Sequence, residues 1–242
     1  TAAPLVCVTP TSDVDVVDVA TISDGKVLST QHIDASGKDR PIEAKDCTGT
    51  ERAQWSADGR RVFLKAVERC QGAERTTSGI LGMTPEGQWL DVQGVAAGDA
   101  ENVRVARYRD AGIPKSVPAN IASALEGRSS SAVSSRIIAG AGLGTSAVIE
   151  ASHAATPSVV EAWLLERGQT FTLDANTLVA LADAGVPARV TDAMVAVSNP
   201  KTFAIAHPNS GASAGAIVAG DEDQVTGRRI SVYMEPMYSP FG

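Results

Sequence analysis

The sequence predicts an α+β protein in which an N-terminal antiparallel β-sandwich or partly closed barrel is followed by a small helical bundle and an extended C-terminal arm. Three observations lead to this prediction: evenly spaced turn motifs up to residue 110, helix-capping motifs from residue 156, and a final stretch rich in Pro, Gly and Ala. Even turn spacing is typical of an antiparallel meander, and Pro and Gly delimit short helices. The predicted boundaries are 1–112 for the β domain, 113–144 for a Pro/Gly/Ser-rich connection, 145–199 for the bundle and 200–242 for the arm.

The β domain is defined by its turns. Each predicted turn contains glycine, and the turns lie at residues 23–25, 35–38, 57–59, 85–87 and 97–99. Asp-Gly favours a two-residue hairpin, because Gly adopts positive φ without a steric cost, so residues 51–55 are expected to pair with residues 61–68. Runs such as RVFLKAVE alternate apolar and charged residues, which indicates a sheet with one face in solvent. Seven or eight such strands predict a sandwich or a partly closed barrel.

The helical part has recognisable ends. Thr156 and Pro157 predict the start of a helix that stops at Gly168, Asp174 caps a second helix, and Pro187 opens a third. Helices this short are not stable alone in water, so they are expected to pack on one another or on the sheet.

Two of the three cysteines favour a disulfide. Cys47 and Cys70 flank the predicted hairpin, where a disulfide would stabilise the fold by about 3 kcal/mol in the chain-entropy model, and the alternative is a pair of buried thiols. Cys7 is left over. The chain begins TAAP, as a mature exported chain or a trimmed one would. We therefore expect a periplasmic or otherwise extracytoplasmic location.

Composition narrows the classes of function. Aromatic residues make up 4% of the chain and apolar residues 43%, so the predicted interior is built from small side chains and leaves little room for a haem or flavin. A net charge of -7 disfavours nucleic-acid binding, which needs clustered Lys and Arg. No window of about 18 residues has the apolar character of a membrane span. We expect no cofactor, no nucleic-acid partner and a chain that is peripheral to a membrane without spanning it.

The stretch IIAGAGLGTSA, residues 137–147, is a candidate ligand loop. It fits the loose G-x-G-x-x-A pattern of a dinucleotide site, but the helix that begins at Pro157 follows where that site needs a second parallel strand. We interpret the stretch as a joint between the two domains. Its glycines would let the backbone turn, while Ile137, Ile138 and Leu143 anchor it in the core.

No catalytic or metal-binding residue is assigned. Ser213 lies in G-x-S-x-G, the nucleophile pattern of α/β-hydrolases, but His207, the last histidine, precedes it and the pattern needs one that follows. The histidines lack a second ligand at helical spacing, and the acidic run at Asp13, Asp15 and Asp18 lacks the glycine and distal glutamate of a calcium loop. A hydrolase acting through Ser213 is therefore only the third functional hypothesis, and the protein is expected not to be an enzyme.

The C-terminal end is a candidate interaction site. It concentrates aromatic and methionine side chains, which we call the aromatic segment: Tyr233, Met234, Met237, Tyr238 and Phe241. A solvated linker has no need of such residues, so the segment is predicted to dock on a partner protein, the alternative being that it packs on its own domain.

Several segments resemble a group of uncharacterised exported bacterial proteins. The segments are ERAQWSADGRRVF, WLDVQGV with RVARYRD, VVEAWLLERG, LVALADAGVP and VTDAMVA, within residues 45–205. Proteins of this group join an N-terminal β domain to short C-terminal helices and a Gly/Tyr/Pro-rich tail. The resemblance implies the role of a membrane-extrinsic subunit in a photosynthetic reaction centre and light-harvesting complex.

Two functions from different classes follow. The first is a non-catalytic exported scaffold that stabilises a larger membrane complex through its extended ends, with the protein subunits of that complex as partners. The second is a periplasmic carrier whose β domain encloses a small lipophilic ligand. Trp55, Trp89 and Trp163 are then either walls of a ligand pocket or ordinary core.

Overall fold

The computed structural model describes residues 5–44, 47–98, 100–113, 115–126, 129–203 and 228–232. The strands come first: β1 (Leu5–Pro10), β2 (Val16–Ser23), β3 (Lys26–Asp34), β4 (Arg40–Ala44), β5 (Cys47–Trp55), β6 (Arg61–Cys70), β7 (Ala73–Met83), β8 (Trp89–Ala97) and β9 (Ala100–Asp110). The helices follow: α1 (Ala119–Leu125), α2 (Ser129–Gly140), α3 (Thr145–Ala154), α4 (Pro157–Arg167), α5 (Ala175–Asp183) and α6 (Ala188–Ser198), and then a last strand, β10 (Arg228–Val232).

The strands form a sandwich. Strands β1 to β3 make an antiparallel three-stranded sheet, and β4 to β9 make an antiparallel six-stranded sheet. Strand β10 lies between β1 and β9 and runs parallel to both. The small sheet packs over one face of the large one, with Val8 and Ile33 in the same cluster as Val62 and Leu81. The sheets are not closed into a barrel, and the predicted α+β class with an N-terminal sandwich is confirmed.

The hairpins follow the local turn signals. Asp24 and Gly25, between β2 and β3, have φ of 48° and 76°, the left-handed pair that a two-residue hairpin requires. Residues 51–55 of β5 pair with residues 62–66 of β6, as the Asp-Gly signal predicts. Gln71 and Gly72 form another left-handed turn, between β6 and β7, where no turn is predicted. This turn lies between the predicted turns at 57–59 and 85–87, and nine strands precede the helices where seven or eight are expected.

The large sheet is buried on both faces at its centre, so the prediction of one solvent face is wrong there. Alternate residues reach opposite layers: Val62 and Leu81 pack on the small sheet, whereas Phe63 and Ile80 pack on the helices. The reason lies in the helices, which cover the second face and share one core cluster with it around Trp163. A strand covered on both sides no longer needs a strict alternation of apolar and polar residues.

The predicted helix ends are found in the structure. Thr156 precedes α4, Pro157 is its first residue, and Gly168 ends it in the left-handed conformation with φ of 66°. The Asp174 carboxylate caps α5 by accepting a hydrogen bond from the main-chain N–H of Thr177 at 2.7 Å. Helix α6 begins directly after Pro187.

The connection and the arm differ from their predictions. Helices α1 and α2 lie within residues 113–144, where an irregular connection is predicted. Leu143 is buried as expected, but Ile137 and Ile138 are 70% and 59% exposed, because α2 turns Ala139 and Gly140 toward the sheet instead. Within the predicted arm, residues 228–232 form strand β10, and residues 204–227 and 233–242 lie outside the described residues.

Candidate ligand-binding site

An apolar cavity of about 60 Å³ lies between the two sheets of the sandwich. Its first wall comes from β1, β2, β3 and the residue that follows β3, and consists of Val8, Val17, Val19, Ile33 and Ala35. Its second wall comes from the large sheet, and consists of Trp55, Val62, Leu81, Gly82 and Trp89. Of the described residues that line it, Asp15 alone is charged, and this residue lies half-buried in the turn before β2.

The cavity exists because the small sheet covers the large one incompletely. Val17 and Val19 are only half-buried although both belong to the inner apolar face of β2. One water molecule needs about 10–15 Å³ of such space, so the cavity is equivalent to about four to six water-sized groups. An apolar space of this size suits a small hydrocarbon group better than water, which would find few hydrogen-bonding partners there.

The three tryptophans divide between the two predicted roles. Trp55 and Trp89 line the cavity, and Trp89 stacks on Tyr108 with ring centroids 5.1 Å apart. Trp163 of α4 is fully buried in the core between the helices and the large sheet. Only the first two are therefore candidate ligand contacts. The sequence signal for them is weak, since a Trp at the end or start of a strand is equally typical of ordinary core.

A polar groove of about 130 Å³ adjoins the cavity, and Ile33 lines both. Its lining includes Gln31, Asp34, Arg40, Glu51, Thr77 and Gln93. Hydrogen bonds from Ser36 are the main cause of a lowered Asp34 pKa, and the carboxylate also lies 3.7 Å from Arg40. The groove thus holds a carboxylate and a guanidinium that balance each other. No sequence motif marks these residues, because they come from five separate strands.

The glycine-rich loop after α2 presents carbonyl oxygens to arginine side chains. Arg167 donates to the carbonyls of Gly140 and Ala141 at 2.8 and 2.6 Å. The Gln169 side chain donates to the Leu143 carbonyl and accepts from the Leu143 N–H, both at 2.8 Å. A phosphate site needs free N–H groups directed at the anion, which is the opposite polarity. The loop therefore presents carbonyl oxygens to its neighbours where a phosphate site would present N–H groups.

The predicted disulfide is present. Cys47 and Cys70 face each other at the end of the β5–β6 hairpin, with their Cα atoms 4.1 Å apart. Such a bond is consistent with an extracytoplasmic location. Cys7 is a buried free thiol, and burial raises its pKa. Within the described ranges, three potential metal ligands gather only at Cys47, Glu68 and Cys70, where the disulfide already occupies both sulfur atoms.

Asp13, Asp15 and Asp18 do not gather as a metal site. Asp15 lines the cavity, the Asp18 carboxylate lies beside the His32 ring, and Asp13 is exposed. The aromatic segment lies outside the described residues, as do Ser213 and His207.

None of the helices described here is both long and apolar enough to cross a membrane. Comparison with family models, with curated proteins and with solved structures yields no match.

Proposed function

We propose that the protein binds a small lipophilic ligand in the cavity between its two sheets, and acts as a carrier outside the cytoplasm. The observation that carries this proposal is the combination of an apolar space with an aromatic wall. An apolar ligand gains dispersion contacts along the whole of such a lining. The half-buried Val17 and Asp15 mark the rim where a guest would enter.

Benzene tests the proposal, because its six carbon atoms are the most that a cavity of about four to six water-sized groups can hold. Binding is measured as a rise in the melting temperature and as a change in the emission of Trp55 and Trp89. The variant Ala35→Leu places three more carbon atoms into the cavity, and we expect it to weaken benzene binding at least tenfold, on the order of the loss of one good apolar contact. Val17→Phe at the rim is a second blocking variant in case Ala35→Leu is overpacked.

The matched control is Ala182→Leu, the same chemical change on the exposed side of α5. It should bind benzene as the wild type does. No benzene binding by the wild type, or equal binding by wild type and both blocking variants, would overturn the proposal.

A scaffold role is the second candidate, favoured by one observation. Strand β10 inserts between β1 and β9, and thereby fixes the chain immediately before the aromatic segment against the sandwich. A chain held at Val232 has a defined starting point for reaching a neighbouring protein. The photosynthetic complex as the partner rests on the sequence resemblance alone and stays a prediction.

Deletion of residues 233–242 tests the scaffold role. The deletion leaves β10 intact, so folding should be unchanged, whereas co-purification with membranes from the native host should be lost. Association that survives the deletion would refute docking through the aromatic segment. A second variant keeps all 242 residues and replaces only the apolar residues of the aromatic segment with Ser. It shows whether membrane association depends on the side chains of the segment or on its length.

A further inference from the structure

The strand register orders the inner face of the large sheet into three rows that extend from the cavity to the groove. The first row lines the cavity with Trp55, Val62 and Leu81, and continues to the buried Asp91. The second row consists of Ala53, Leu64, Gly79 and Gln93. The third consists of Glu51, Ala66, Thr77 and Val95. The second and third rows, apart from Gly79 and Val95, line the polar groove.

These rows form one continuous surface. Residues two apart on a strand lie on the same face about 7 Å from each other, so the three rows extend over about 14 Å. Ile33 on the opposite sheet lines both the cavity and the groove, which places the two spaces side by side. A single ligand can therefore contact the first row and the third at the same time.

Gly79 lies in the second row without a side chain of its own. A Cβ atom at this position would lie 3.3 Å from both Leu64 Cβ and Gln93 Cγ, so these two side chains already crowd over the Gly79 backbone. A ligand chain that reaches from the cavity to the groove would therefore cross the second row above Leu64 and Gln93. A larger residue at position 79 would push these two side chains outward, toward the ligand.

The groove is polar but electrically balanced. Its basic residues Arg40, Arg52 and Lys65 are matched by Asp34 and Glu51 in the lining and by Asp39, which pairs with Arg52 at 2.8 Å. A groove with balanced charges does not favour an ionic head group over a neutral one. Its amides, hydroxyl and ion pairs instead offer both donors and acceptors, which suits a group that is itself rich in hydroxyls.

From this arrangement we infer that the ligand is a small neutral amphiphile, with a short apolar chain in the cavity and a hydroxyl-rich head in the groove. The inference rests on the proposed function of the cavity. By the same size rule, the chain has about four to six heavy atoms and the head occupies about nine to thirteen water-sized volumes, which is the size of one hexose. The chain end lies against Trp55, and the head lies against Thr77 and Gln93.

The test compares n-hexyl β-D-glucoside with 1-hexanol, two molecules that share the six-carbon chain but differ in the head. Calorimetry on the full chain measures both affinities. We expect the glucoside to bind at least tenfold more tightly, since several hydrogen bonds at about 1 kcal/mol each would separate the two. The variant Ala66→Phe fills the groove in the third row, and should reduce the ratio of affinities to about one while leaving 1-hexanol binding unchanged.

Thr77→Val is the milder variant, because it removes one hydroxyl without a change of shape and suits a strand. It should weaken glucoside binding about fivefold and leave 1-hexanol unaffected. Equal affinity of the two molecules for the wild type, or a ratio that neither variant changes, would overturn the inference while the cavity proposal stands. If neither 1-hexanol nor benzene binds, the cavity proposal fails and the inference falls with it.

Discussion

Arg167 donates to three main-chain carbonyls, those of Met83, Gly140 and Ala141, and is almost completely buried. Burial, followed by the charges of Arg61 and Arg60, lowers its pKa to about 10, so the guanidinium still carries its proton at neutral pH. These carbonyls belong to the end of β7 and the end of α2. One side chain of α4 therefore ties the sheet to the glycine-rich loop.

Replacing Arg167 with Met should lower the free energy of unfolding by about 2–4 kcal/mol, because buried carbonyls lose their donors and no water replaces them. Urea unfolding with an unchanged m-value measures the loss. Arg189→Met is the control: this side chain pairs with Glu161 at an exposed site, where a cost below about 1 kcal/mol is expected. Equal losses in the two variants would contradict a special role for Arg167.

Asp58, in the β5–β6 turn, gives the stability a pH dependence. Burial of the carboxyl by itself would raise its pKa, but hydrogen bonds from Ser56 and Arg60 and the charge of Arg61 outweigh burial and lower it from 3.8 to about 2. The folded state thus has the lower pKa. Its contribution to stability is present above the unfolded value of about 3.9 and is lost as the pH falls toward 2.

The variant Asp58→Asn should be less stable than the wild type by about 1–2 kcal/mol near pH 6, once solvent screening of this partly exposed group is allowed for. The difference should shrink as the pH is lowered through about 4 and nearly vanish at about pH 2. Urea unfolding at several pH values measures it. A difference that stays constant with pH would show that the Asn side chain acts through the turn geometry and not through the charge.

At the scale of elements, glycine sets how closely the helices approach the large sheet. A Cβ atom on Gly94 of β8 would lie 2.6 Å from Val159 Cγ2, so α4 lies directly on the backbone of this strand. A Cβ atom on Gly140 at the end of α2 would likewise lie 2.6 Å from the Thr84 carbonyl oxygen. Since a backbone atom cannot move aside as the end of a side chain can, α2 would have to shift.

Gly140→Ala should therefore destabilise the protein by about 1–3 kcal/mol, the range expected for overpacking. Gly142→Ala, two residues later in the same loop, is the matched control, because its Cβ atom would meet nothing within 4 Å. This change should be neutral or stabilise by up to about 1 kcal/mol through a smaller unfolded-state entropy. The melting temperatures of the two variants, measured by thermal unfolding, test this expectation. Equal melting temperatures would contradict a close approach of α2 to the Thr84 backbone.

At the scale of the whole molecule, the sandwich and the helices share a core. Phe63 and Ile80 of the large sheet lie in one buried cluster with Val148, Trp163 and Met194 of the helices. The helical part is therefore not an appendage joined by a linker. Removing it would expose one face of the sheet to water.

We accordingly expect a single cooperative unfolding transition. Emission of Trp163 monitored in a variant with Phe at positions 55 and 89 should change at the same urea concentration as the β-sheet signal in circular dichroism. The wild type, followed by circular dichroism alone, controls for the effect of the substitutions on the midpoint. Two separate transitions would show that the helices and the sandwich fold independently.

Local structure was determined by the sequence itself, because it depends on neighbouring residues alone. Positive φ at Gly25, the cap at Asp174 and the left-handed stop at Gly168 each need one residue type at one position, so turns and helix ends could be predicted. The disulfide followed from the same hairpin signal. The turn at Gln71 and Gly72 escaped prediction because Gln carries no comparable preference for a left-handed φ.

Only the tertiary structure decided which faces are covered and where the cavity lies. Val17, Val62 and Trp89 are far apart in the chain, and their meeting at one cavity depends on how the small sheet folds over the large one. Likewise, Ile137 and Ile138 look like core residues but face solvent, since the direction of a helix face is set by what the helix packs against. Periodicity shows that a face is apolar, whereas long-range packing determines which apolar face is buried, which is exposed to solvent and which borders a cavity.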